Sequence, residues 1–134
     1  MGLAEDNRID IVIYRIERAF TALEQAKGNL AMNYLEITAN RLYYAAYYAV
    51  SALLIAHEIR VHSHEGCIRQ FNLYFVKTGI VPLEMGKLFS RLFDMRLTLS
   101  HKLLTAVSTR YEHVLLKNFR PFFLFPLRFP QLFS

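Results

Sequence analysis

The sequence predicts an all-α protein, an up-down helical bundle of four to five helices. Three observations carry that expectation. Apolar residues recur at spacings of three and four along residues 1–100, the period of a helix face. No pair of alternating apolar runs joined by a tight turn, the mark of a β-hairpin, occurs anywhere. The chain has 134 residues, 54% hydrophobic and 20% charged, enough for one domain with a buried core and too apolar for a disordered chain.

The first helix is expected over residues 9–30. Ile9, Ile13, Ile16, Phe20, Leu23 and Ala26 form one stripe, and Gly28-Asn29 weakens its end. A second helix is expected to start at Asn33, with Asn33 as N-cap and Glu36 completing a capping-box-like pair. Leu35, Ala39, Leu42, Ala46, Ala49, Leu53 and Ala56 keep a four-three alternation along it. Four of these seven are alanine, so a partner helix can approach closely. Tyr43, Tyr47, Val50 and Leu54 make a second stripe, and Tyr44, Tyr48 and Ile55 a third. A helix apolar on nearly every side is central to a bundle or lies at an oligomer interface.

Residues 57–64 read as a connection. Ser63 or His64 begins a short helix through about Lys77, closed by Thr78 and a left-handed Gly79. Pro82 suits the first turn of the next helix, whose buried stripe is Met85, Leu88, Leu92, Met95 and Leu99, flanked by Phe89 and Phe93. Residues 102–117 carry the spacing of a fifth helix through Leu104, Val107, Tyr111 and Leu115.

The net charge of +5 is not spread over the chain. Residues 1–95 hold ten basic and ten acidic side chains, whereas residues 96–134 hold six basic ones and the single acid Glu112. Three of four prolines and six of eleven phenylalanines also fall after residue 118, a pattern that excludes a regular helix there. The expected organisation is therefore a helical bundle over 1–100 and a basic, Phe/Pro-rich segment over 101–134. Cys67 alone excludes a disulfide framework and a multi-cysteine zinc ribbon, and fits a cytoplasmic location. The acidic N-terminus lacks the pattern of a signal peptide. The longest stretch without a charged side chain, residues 42–56, is 15 long and holds four tyrosines, short of the ~20 apolar residues of a membrane span. No integral membrane segment is expected.

Four pieces of sequence identify a family. Asn40-Arg41-Leu42-Tyr43-Tyr44-Ala45-Ala46, Ser63-His64-Glu65-Gly66, Phe75-Val76-Lys77-Thr78-Gly79 and Arg96 resemble, in order and spacing, the HEPN family of nucleotide-binding domains. The likeness is to its small stand-alone bacterial branch and covers roughly residues 10–100. The resemblance implies a helical bundle that forms a homodimer through its central helices. It also implies, in many relatives, metal-independent cleavage of RNA by an Arg-x4–6-His motif. Such proteins are often toxins paired with a nucleotidyltransferase-type antitoxin. In other relatives the motif is lost and the domain binds nucleotides or partner proteins.

Arg96 and His101 fit Arg-x4-His and are the candidate catalytic residues. Arg96 would stabilise charge on the scissile phosphate while His101 moves protons at a ribose hydroxyl or the leaving oxygen. On an unbroken helix the two side chains stand ~140° apart, so they meet in one cleft only through long rotamers or a break. The chain carries Leu97 where active relatives have Asn or Asp, and lacks the Asp-Tyr pair of its own branch. The competing reading makes Arg96 a structural residue and His101 a chance match. Arg41, an arginine on an otherwise apolar helix, must pair or face a cleft, and with Tyr44 and Tyr48 is the candidate nucleotide- or phosphate-binding set. Tyrosines at helical spacing are more often core. His57, His62, His64 and Cys67 match no common zinc spacing, and neither a metal nor another cofactor is expected. Two functions follow: a toxin-type protein associating with RNA or nucleotide, with ribonuclease activity at Arg96 and His101, or a non-catalytic interaction module that dimerises or binds a nucleotidyltransferase partner.

Overall fold

The structure, a computed structural model, describes residues 2–97. Four α-helices follow one another: α1 (Gly2–Ala31), α2 (Leu35–Ala56), α3 (His64–Phe71) and α4 (Leu83–Leu97). A π-helical turn (Asn72–Val76) extends α3. No strand is present among the described residues. The fold is all-α, as its sequence pattern predicts, and the expected fifth helix and Leu99 lie outside the described residues.

Helix α2 is the centre. Every residue of its expected first stripe is buried, and α2 touches α1, α3 and α4. Val12 and Ile16, early in α1, pack with Ala52 and Ala56 at the end of α2, so the two helices run antiparallel. Met95 near the end of α4 packs with Leu35 and Ala39 at the start of α2, making that pair antiparallel too. The alanine seam of α2 is therefore filled within one chain.

The buried stripe of α1 differs from the expected one. Val12, Ile16, Ala19, Ala22, Leu23 and Ala26 are buried, whereas Ile13 and Phe20 remain 44% and 40% exposed. Three of these six are alanine, so the buried stripe is set by small residues as well as by Val12, Ile16 and Leu23. Helix α1 also begins before the expected Ile9.

Asn33 is not the N-cap of α2. It adopts φ 61° and closes α1: its N–H donates to Leu30 O at 3.0 Å, and the Tyr34 N–H donates to Asn29 O at 2.9 Å. That pair of bonds is the Schellman arrangement, in which asparagine substitutes for glycine at the left-handed position. Tyr34 then precedes α2 without a side-chain cap, so Glu36 completes no capping box.

The expected start of α3 holds. Ser63 is extended and its Oγ accepts from the Gly66 N–H at 2.9 Å, a cap worth about 1 kcal/mol. The π-helical turn lies against α4 at Gly86, where a Cβ would come within 2.6 Å of Asn72 Oδ1. Gly79, at φ 82°, reverses the chain toward α4. Phe71, Phe75, Leu88, Phe89 and Leu92 close the core, and Cys67 sits within it. Burial pushes the Cys67 thiol up to about 12, so it stays protonated through neutral pH.

Two outcomes follow. Ala46→Leu should destabilise the fold by about 1–3 kcal/mol in urea unfolding, because the seam has no room for the added carbons; an unchanged midpoint would contradict the seam. The burial of Cys67, which encloses the thiol and raises its pKa, predicts thiol labelling much slower in the native chain than in the urea-unfolded one at pH 7.4. Comparable rates would show an accessible thiol.

Candidate functional site

The run of residues 40–48 in α2 sorts its side chains by size. Ala45 and Ala46 enter the core, and the tyrosines divide between core and rim. Tyr43 is fully buried. Its ring stacks on Phe89 at 6.0 Å and on Tyr47 at 6.1 Å, and its hydroxyl hydrogen-bonds His64 Nδ1. His64 also stacks on Tyr47 at 4.5 Å. The Ser63-His64 pair is thus a fastening: serine caps α3, and histidine ties its first turn to α2.

Tyr44 and Tyr48 take the opposite course. Both are half-buried, with ring centroids 5.9 Å apart. The Arg41 guanidinium lies over the Tyr44 ring at 5.1 Å, and that of Arg18, from α1, lies over Tyr48 at 5.4 Å. Arg41 Nε and Nη2 donate to Asn40 Oδ1 at 3.0 and 2.6 Å, and Nη1 donates to Gln25 Oε1 at 3.3 Å. Among the described residues, neither Arg18 nor Arg41 has a carboxylate partner. A ring face holds each guanidinium, and the neutral oxygens of Asn40 and Gln25 also hold Arg41. The result is a pair of Arg–Tyr stacks side by side along one rim of the α1–α2 pair.

This brings together Arg41, Tyr44 and Tyr48 from the expected set. Arg96 belongs to the last turn of α4, and the packing of Met95 on Leu35 and Ala39 sets that turn against the start of α2. His101 lies outside the described residues. Arg18 was not expected in the site: its sequence neighbourhood reads as solvent-facing, and only the register of α1 on α2 sets it over Tyr48.

The remaining candidates have structural surroundings. His57 meets the edge of Phe75 at 4.9 Å, its Nε2 is buried without a hydrogen bond, and burial lowers its pKa. His62 is exposed and Cys67 buried. Among the described residues, no group of three or more His, Cys, Asp or Glu side chains could hold a metal ion. None of the described helices is long and apolar enough to cross a membrane. The larger cavity, about 780 Å³, lies between the π-helical turn and α4, where Lys77, Lys87 and Arg91 are exposed.

Comparison with known proteins agrees with this architecture. The family model for the HEPN domain matches residues 12–113. A "UPF0332 protein" of Thermotoga maritima is 43% identical over 88 residues, covering 66% of this chain and 67% of that protein. A protein of Methanocaldococcus jannaschii named "Putative toxin MJ0142" is 29% identical over 83 residues, covering 62% of this chain and 56% of its own. A second from that organism, named "Putative toxin MJ0605", is 32% identical over 56 residues, 42% of either chain. The chain therefore spans about two thirds of the first relative and about half or less of the other two. No solved structure matches it. The family match runs from early in α1 to beyond the end of α4, most of the sequence, and this chain belongs to the HEPN domain family.

Proposed function

We propose that this HEPN-domain protein is the toxin-type component of a toxin–antitoxin pair, working in the cytoplasm, and that it engages RNA or a nucleotide through the Arg–Tyr rim of α2. One observation carries the reading: two guanidiniums, without acidic partners among the described residues, lie on two neighbouring tyrosine rings. Bases stack on such rings for about 1–3 kcal/mol each, whatever their identity, and guanidiniums suit phosphate oxygens. The relatives named as toxins support the biological setting.

In this reading Arg96 and His101 supply the chemistry. Arg96 stabilises negative charge on the scissile phosphate, and His101 transfers a proton to or from a ribose 2′-hydroxyl or the leaving oxygen. The packing of Met95, in the last turn of α4, on Leu35 and Ala39 at the start of α2 supports a site built by these two helices.

A second reading rests on α1, where Ile11, Ile13 and Tyr14 stay 45%, 44% and 59% exposed. An apolar run of that kind suits a homodimer or a nucleotidyltransferase-type antitoxin, and the protein would then be a non-catalytic interaction module.

RNA cleavage in EDTA by the purified, folded chain separates the two, alongside Arg96→Ala, His101→Ala and Tyr44→Ala. The toxin reading predicts cleavage lost in the first two variants and binding of a labelled oligonucleotide weakened about tenfold in the third. Expression should slow bacterial growth, and Arg96→Ala should relieve it. Folded protein that neither cleaves nor binds RNA, and is harmless in both forms, would overturn that reading in favour of the interaction module.

A further inference from the structure

At the far end of α2 from Arg41, a cavity of about 400 Å³ opens between α1, the last turns of α2 and the loop leading to α3. That volume lies within the ~300–1,000 Å³ of small-molecule sites. Arg8, Arg15 and Arg60 line it, and Glu58 is its single acid among the described residues. Three cations against one anion leave a formal charge of +2. Arg8 Nη1 stands 2.7 Å from Glu58 Oε1 and accounts for that carboxylate. Arg15 Nη1 donates to Ser51 Oγ at 3.2 Å, a neutral partner that orients the guanidinium without cancelling its charge. Arg60 is exposed on the loop and has no ion pair among the described residues.

Two such guanidiniums in a concave wall focus positive potential and present forked donors that match phosphate oxygens. The charge decides which phosphate. A phosphodiester brings a single negative charge, whereas a phosphomonoester brings about −1.5 to −2 at neutral pH and balances the site. The remaining lining is the apolar Ile55, Ile59 and Val61 together with Ser51 and His62, and Tyr47 at one side. The Tyr47 ring lies 5.9 Å from Tyr48, so the cavity adjoins the Arg–Tyr rim.

We propose that this cavity is a phosphomonoester site, taking the phosphate of a free nucleotide or the terminal phosphate of an RNA strand. The phosphate site stands independently of the function proposed above; its use to anchor a strand whose bases lie along Tyr48 and Tyr44 rests on that reading.

The test uses the full chain with adenosine and adenosine monophosphate as small probes. Labelled oligonucleotides of one sequence, ending in phosphate or in hydroxyl, are the long ones. Adenosine monophosphate should bind at least about tenfold more tightly than adenosine, and Arg60→Ala, on an exposed loop, should remove most of that difference, as should Arg15→Gln. Lys87→Ala, an exposed residue of α4 outside the cavity lining, should leave it intact. A phosphate-ended oligonucleotide that binds about tenfold better than its hydroxyl-ended twin assigns the site to strand ends; a preference confined to the mononucleotide assigns it to free nucleotide. Adenosine and its monophosphate binding alike, or a phosphate preference that survives both Arg60→Ala and Arg15→Gln, would overturn the proposal. Oligonucleotide binding that depends on Tyr44 but ignores the terminal phosphate and Arg60, with no mononucleotide preference, would sink the cavity and spare the RNA reading. Arg60-dependent nucleotide binding without any RNA binding would do the reverse.

Discussion

The close contact of α1 with α2 is the constraint on which the other features rest. Ala19, Ala22 and Ala26 of one helix and Ala45, Ala46 and Ala49 of the other are all buried in the common core. Small side chains let two helices approach toward the short end of the usual ~8–10 Å spacing. With alanines occupying much of the contact, the tyrosines of α2 lie to either side of it. Tyr43 goes toward α3 and α4, where Phe89 and His64 receive it. Tyr44 and Tyr48 go toward the rim, where Arg41 and Arg18 cover them. One packing rule thus builds the core and the candidate site together.

The magnitudes make the rim exchangeable rather than permanently closed. A guanidinium on an exposed ring contributes about 0.5–1 kcal/mol. A nucleic-acid base on the same ring contributes about 1–3 kcal/mol. A base can displace the guanidinium from the ring face, and the freed cation then meets phosphate. Tyr43 could not serve in this way, because its ring is enclosed and its hydroxyl is committed to His64. The same residue type therefore does two jobs one position apart, and burial separates them.

Much of this was legible in the sequence. The four-three spacing of α2, the Ser63 cap, the left-handed Gly79 and the family likeness carried by residues 40–46 and 63–66 all reappear in the structure and in the family match. The misreadings share a cause. A hydrophobic stripe is found by its largest residues, which drew Ile13 and Phe20 into the expected core of α1, whereas the contact that prevails is alanine on alanine. Asn33 was read as opening α2 because asparagine caps helix starts, yet it also tolerates the left-handed turn that ends one. Arg18 carried no signal, since its partner Tyr48 lies thirty residues away and only the helix register unites them. For the same reason the cavity around Arg15 and Arg60 left no mark in the sequence.

The central claim is that the Arg–Tyr rim of α2 is the surface that meets RNA or nucleotide. Amide and side-chain chemical shifts of the isotopically labelled chain, followed while a short single-stranded RNA is added, test it most directly. The account predicts that the largest changes fall on Arg18, Arg41, Tyr44 and Tyr48. Changes confined to the opposite side, around Lys77, Lys87 and Arg91, with those four residues unmoved, would contradict it.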